Sequence, residues 1–237
     1  MAESVFPLIE VLGAERQRVE DELLASVQTS DDHLTELAQH LIIAGGKRLR
    51  PVLTMVAGAL GDGSISHDVV RGGVSCELVH LGSLYHDDVM DESPTRRGVE
   101  TVNAKWGNLQ AILAGDFLLA RASEIAASLG TEVAGLLAKT IAWLCEGQIE
   151  ELRTTYDASR TNESYFASIR GKTASLYGTS ARVGGIVAGL DRPVIDALTE
   201  YGDSFGMLFQ IIDDVLDIVS TDEDLGKRAG HDMQVGV

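Results

Sequence analysis

Apolar positions along this chain recur at intervals of three and four, the spacing of one face of an α-helix, and strand-like alternation is nearly absent. The clearest run is Val194, Leu198, Tyr201, Phe205, Leu208, Ile212, Val215 and Val219, a continuous stripe that predicts a mostly buried helix. Pro193 falls in the first turn of that helix, behind Asp191, a residue type suited to capping. Breaks rich in Gly, Pro, Ser and Asp at 61–64, 92–94, 129–130 and 157–162 divide the chain. The predicted helices are 3–27, 31–44, 51–60, 66–91, 101–128, 131–154, 163–170, 172–189 and 192–219. Long helices on short turns pack as antiparallel neighbours, so an all-α antiparallel bundle around a deep central cavity is expected, as a single domain over residues 1–237.

Composition narrows the function. The balance of 19 Lys+Arg against 36 Asp+Glu, a formal charge of −17, excludes a nucleic-acid partner, because phosphate backbones attract basic surfaces. An anionic substrate would need local basic residues or bound cations. Cys76 and Cys145 form no CxxC pair, so neither a disulfide framework nor a zinc site is indicated. The first residues lack a basic stretch ahead of an apolar one, and no run of 18 apolar residues occurs, so a soluble cytoplasmic protein is expected.

Chemistry concentrates in two acidic clusters. Asp87, Asp88 and Asp91 in HDDVMD and Asp213, Asp214 and Asp217 in IIDDVLD repeat one DDxxD spacing, 126 positions apart (213 minus 87). On a helix the first and last carboxylates share a face with the middle one beside them. Each cluster ends a strongly apolar segment, and a bordering set of carboxylates needs neutralising cations; hard oxygen donors of this kind suit Mg²⁺ bridged to phosphates. A lone DDxxD would as readily be a solvated acidic face, but the surroundings favour a site. The segment GGKRLRP offers Lys47, Arg48 and Arg50 beside glycines, and ESPTRRG offers Arg96 and Arg97 just after the first cluster. His80 lies two helical turns before Asp87. Lys172, Thr173, Gln210 and Lys227 complete the polar set, each by itself explicable as a surface lysine or a core hydrogen bond.

In order along the chain, GGKRLRP, LVHLGSLYHDDVMDESPTRRG, AGDFLLARA, EGQIEE, GKTASLYG, FGMLFQIIDDVLD and DLGKRAGHD resemble the trans-polyprenyl diphosphate synthase family, which has the isoprenoid synthase fold. The resemblance implies a prenyltransferase in which the six aspartates bind magnesium, with three ions per site once substrate is bound. It assigns the allylic diphosphate to Arg96, Lys172, Thr173, Gln210 and Lys227, and isopentenyl diphosphate to Lys47, Arg50, His80 and Arg97. Asp87, Asp88, Asp91, Arg96, Lys172, Asp213, Asp214 and Lys227 would be catalytic. It further implies a homodimer, formed through the apolar segments 109–129 and 133–144, and peripheral membrane contact for product release. Small residues at Gly82 and Ser83, where short-chain members carry aromatic stoppers, imply a medium-to-long product; tight helix packing is the other reading of them. Family members continue for about a hundred residues beyond the last motif, so helices are expected to be missing after Val237. A geranylgeranyl or farnesyl diphosphate synthase and a non-catalytic subunit are the alternatives. A terpene cyclase is disfavoured by the second aspartate-rich motif.

Overall fold

The computed structural model describes residues 7–219 apart from residue 158. Its helices are α1 (Pro7–Ser26), α2 (Asp32–Ile43), α3 (Leu49–Ala59), α4 (His67–Met90), α5 (Val102–Trp106), α6 (Asn108–Leu129), α7 (Thr131–Arg153), α8 (Asn162–Ile169), α9 (Ser175–Val187) and α10 (Arg192–Val219). A π-helical turn, Arg170–Ala174, joins α8 to α9. Two two-residue strands, β1 (Thr95–Arg96) and β2 (Val99–Glu100), pair antiparallel.

Helix α4 is the axis of the bundle. It packs against α1, α3, α5, α6 and α9, which requires apolar residues all round its circumference, and Val70, Val74, Cys76, Leu78, Leu81 and Tyr85 are accordingly buried. Ser66 caps its start by accepting from the Val69 amide. Tyr85 satisfies its buried hydroxyl by donating to Leu37 O at 2.6 Å, which ties α4 to α2.

Three sequence expectations need correction. The segment expected as one helix over 101–128 is two, because Gly107 adopts φ +91 between α5 and α6, a backbone state open to glycine. The segments 163–170 and 172–189 are helices α8 and α9, but no break divides them; the π-turn carries one into the other through a bond from the Ser175 amide to Arg170 O. The residues read as a loop after the first acidic cluster hold the β-ribbon, whose turn residues Arg97 and Gly98 both have positive φ, as tight hairpins require.

Helix α10 departs further from expectation. Most of its apolar stripe does not face the interior: Tyr201 is 60% and Leu208 56% exposed, and Val194, Ile212, Val215 and Val219 are exposed as well, while Leu198 and Phe205 are half-buried. The inward face is made of Ile195, Gly202, Gly206 and Asp217. A Cβ on Gly202 would lie 2.7 Å from Tyr177 O, and one on Gly206 2.6 Å from the Ala174 Cα. Backbone-to-backbone approach through glycines therefore decides which side of α10 meets α9, and hydropathy does not register it.

Candidate active site

The two acidic clusters lie on α4 and α10, and the π-turn connects them. In α4, Asp87 is half-buried, Asp88 is buried and Asp91 is the exposed C-cap. Arg96, held on β1, donates from Nε to Asp88 Oδ1 at 2.6 Å. Burial pushes the Asp87 carboxyl up to about 6, against the pull of Lys172 and Arg96 and with the repulsion of Asp91 and Glu151. Burial likewise raises Asp88 despite Arg96.

The π-turn presents two adjacent side chains to the two clusters. Lys172 Nζ donates to Glu151 Oε1 at 2.6 Å. Burial pulls its ammonium down, but Glu151, Asp87 and Asp91 outweigh that and hold it above its ordinary value, so it is fully charged. Thr173 donates to Gln210 Oε1 at 2.8 Å, and Gln210 Nε2 donates to Asp214 Oδ1 at 2.8 Å. Tyr165 of α8 donates to Asp214 Oδ2 at 2.5 Å; burial and the Asp214 carboxylate raise its phenol, so it stays a donor. Asp213 is exposed, and Asp217 is buried at 1%.

The π-turn is placed by glycines. A Cβ on Gly147 of α7 would lie 2.4 Å from Lys172 N, and one on Gly171 would lie 2.8 Å from Trp143 O. α7 thus touches the turn through bare backbone, with Glu151 one helical turn beyond Gly147 and in reach of Lys172.

Basic residues from the loop before α3 and from the β-ribbon border the same region. Arg97 Nη1 donates to Leu41 O at 3.1 Å and also bonds Gly45 O, while Arg16 Nη2 donates to Gly46 O at 2.7 Å. A Cβ on Gly46 would meet the Arg97 guanidinium at 3.0 Å, so glycine there permits the stacking. Lys47 lies 5.8 Å over the Phe209 ring of α10, and Arg50 lies 4.6 Å over Tyr177 of α9. Arg50 Nε is buried and makes no hydrogen bond among the described residues. His80 sits amid these arginines: burial first, then Arg50, Arg97, Arg96 and Arg48, hold its imidazole well below the ordinary value and therefore neutral.

Arg48 turns out to be structural. It has φ 52 and is fully buried, bonding Glu20 Oε1 at 2.8 Å, Glu77 Oε1 at 3.0 Å and Ile42 O at 2.9 Å. No donor pattern in the sequence separates it from its neighbours Lys47 and Arg50, because its partners come from α1, α2 and α4. Gly82 lies where α4 crosses α6, a Cβ there meeting Gly115 O at 3.0 Å, and this crossing accounts for the glycine. Ser83 bonds its own helix at His80 O, 2.8 Å. Lys227 lies outside the described residues. Glu151 and Tyr165 were not singled out in the sequence, where 21 residues separate Glu151 from Lys172 and 49 separate Tyr165 from Asp214.

The donors fit magnesium. Asp87 carries a charge that burial disfavours and that Lys172 and Arg96 do not fully offset, and every candidate ligand is a hard carboxylate oxygen. Among the described residues no three His, Cys, Asp or Glu side chains converge to hold a metal without help. Mg²⁺ keeps waters and binds through one or two carboxylates together with substrate phosphates. The orphaned Arg50 donor fits an anion.

The pattern of the family described as Polyprenyl synthetase matches residues 31–237. The chain is 40% identical to the nonaprenyl diphosphate synthase of Mycobacterium tuberculosis over 220 residues, covering 93% of this chain and 66% of that protein. It is 42% identical over 219 residues to heptaprenyl diphosphate synthase component 2 of Geobacillus stearothermophilus, covering 92% of this chain and 68% of the other. The fold is similar to that of heptaprenyl diphosphate synthase from Staphylococcus aureus, with a TM-score of 0.91 at 36% identity, covering 94% of this chain and 71% of that one. The chain spans about two thirds of the length of these curated relatives. With the two DDxxD helices and the nearby basic residues already described, this likeness along nearly the whole chain shows that it belongs to the polyprenyl synthetase family.

Proposed function

We propose that the chain is a magnesium-dependent trans-prenyltransferase that lengthens an allylic prenyl diphosphate with isopentenyl diphosphate and releases diphosphate. The observation that carries the reading is the π-turn, whose consecutive residues Lys172 and Thr173 bond Glu151, in the field of the first aspartate cluster, and Gln210, which bonds Asp214 of the second. One anion placed between the clusters would meet both.

The six aspartates would hold magnesium, Asp88 and Asp214 with fewer lone pairs to give because Arg96, Gln210 and Tyr165 already occupy some of theirs. Bound magnesium would neutralise the allylic diphosphate and make it a better leaving group. Lys172 and Arg96 add fixed positive charge where negative charge grows on the departing oxygen, which is the larger part of such catalysis. The C–O bond breaks with its electron pair going to diphosphate. The isopentenyl double bond then attacks the allylic carbon, and a proton leaves to the released diphosphate. Lys47, Arg50, His80 and Arg97 would orient isopentenyl diphosphate, Arg50 through its unsatisfied Nε and neutral His80 through one N–H. Exposed Leu109 and Leu113 at the start of α6 would supply the homodimer face. Two relatives are named component 2 of a heptaprenyl diphosphate synthase, which favours, as a second reading, a subunit that needs a partner chain.

The test is incubation of the purified chain with Mg²⁺, labelled isopentenyl diphosphate and, separately, geranyl, farnesyl and geranylgeranyl diphosphates, reading product length. Elongation that falls by at least about 100-fold in Asp87→Ala is expected. A folded chain that elongates no primer overturns the stand-alone enzyme and leaves the subunit reading.

A further inference from the structure

The geometry points to Tyr165 as a positioning residue that acts through Asp214, fixing the second acidic cluster and the Gln210–Thr173 pair in the arrangement that receives a magnesium-bound diphosphate. It rests on the prenyltransferase reading above.

Both oxygens of Asp214 are engaged, Oδ1 by the Gln210 amide at 2.8 Å and Oδ2 by the Tyr165 phenol at 2.5 Å. The carboxylate is therefore held in one rotamer, with its plane set from two directions. Gln210 is fixed in turn, since its nitrogen donates to Asp214 while its oxygen accepts from Thr173 at 2.8 Å. Turning that amide over would set its oxygen against the carboxylate and break the bond to Asp214, which only accepts, while the Thr173 hydroxyl could serve either end. One phenol thus orders three residues, on α10 and on the π-turn.

Tyr165 does not depend on Asp214 for its own place. Its ring packs against Phe166 at 5.4 Å between centroids, and the Arg160 guanidinium lies over it at 5.6 Å. Arg160 Nη2 donates to Ser168 Oγ at 2.5 Å, and that hydroxyl donates to Tyr165 O at 2.9 Å. The short helix α8 is thus braced before its tyrosine reaches across to α10. A phenol used only for packing would not need to end on a carboxylate. Loss of such an orienting hydrogen bond around a metal-binding carboxylate lowers metal affinity or activity by about 10- to 100-fold.

The experiment is calorimetric binding of inorganic diphosphate in the presence of Mg²⁺ to the wild-type chain, Tyr165→Phe, Asp214→Asn and the double variant, with thermal unfolding of each. Tyr165→Phe keeps the ring against Phe166 and Arg160, so its melting temperature should stay within about 2 °C of wild type while binding weakens by about 10-fold or more. The double variant should bind no more weakly than the more impaired single one, because the two changes remove one interaction. Unchanged binding in Tyr165→Phe, or losses that multiply in the double variant, overturns the proposal. If Tyr165→Phe also melts early, Phe166→Leu perturbs the same packing without the hydroxyl, and an equal loss of binding there overturns it too. A wild-type chain that binds no diphosphate with Mg²⁺ overturns the functional reading itself, whereas equal binding by wild type and Tyr165→Phe overturns only the role of the tyrosine.

Discussion

At the scale of single residues, His80 shows how several segments combine to set a protonation state. Its position two turns from Asp87 is legible in the sequence. Its neutrality is not, because it comes first from burial and then from arginines on the loop before α3, on α3 and on the β-ribbon. The native imidazole titrates well below 6.5, whereas in the unfolded chain it titrates near about 6.5. As pH falls through that range the unfolded state takes a proton that the folded state refuses, so this histidine subtracts stability on the acid side. Thermal melts of the wild-type chain and His80→Gln between pH 7 and pH 5 should show a flatter decline in the variant. Parallel declines would mean that burial and the arginines do not hold the ring below its ordinary value. Arg48 teaches the complementary lesson. Buried between Glu20 and Glu77, it is committed to structure although its sequence setting matches that of Lys47 and Arg50.

Among the elements, the π-turn joins fold to site, and it is also the element that periodicity misreads. The helix extents fell within a few residues of expectation because they follow apolar spacing, whereas the break at Gly107 and the turn at 170–174 depend on backbone bonding that leaves little mark on hydropathy. The glycines hold the missing information. A methyl added at Gly147 would sit 2.4 Å from Lys172 N and 2.8 Å from both Gly171 C and Ser168 O, all of them main-chain atoms that cannot swing aside. Gly147→Ala should therefore destabilise the chain by about 1–3 kcal/mol, lowering the melting temperature by about 2–12 °C, and should pull Lys172 off Glu151. Gly135→Ala on the same helix is the control. Its Cβ would meet nothing within 4 Å, so there the better helix former should leave stability unchanged or raise it by up to about 1 kcal/mol. Equal melting temperatures for the two variants would show that α7 and the turn are not in backbone contact.

For the whole molecule, the all-α class and the order of helices could be read from apolar spacing alone, and the positions of the two aspartate clusters near the ends of α4 and α10 from their repeated motif. What could not be read was which way α10 faces, since a stripe of Leu, Ile, Val and Tyr says that a surface is to be covered without saying by what. In this chain most of the stripe lies outside and the glycine face lies inside. This sets two kinds of substitution on one helix against each other. Leu208→Glu and Val215→Glu, at sites 56% and 50% exposed, should change unfolding free energy by less than about 0.5 kcal/mol each while reducing the binding of a hydrophobic dye such as ANS, because they interrupt an exposed apolar patch. Ile195→Ala, at a site 2% exposed, should remove about 2–5 kcal/mol. Chemical denaturation of the three variants measures both effects. If the glutamates destabilise as much as Ile195→Ala does, the stripe is covered in solution, and the side of α10 that meets the rest of the bundle must be assigned again.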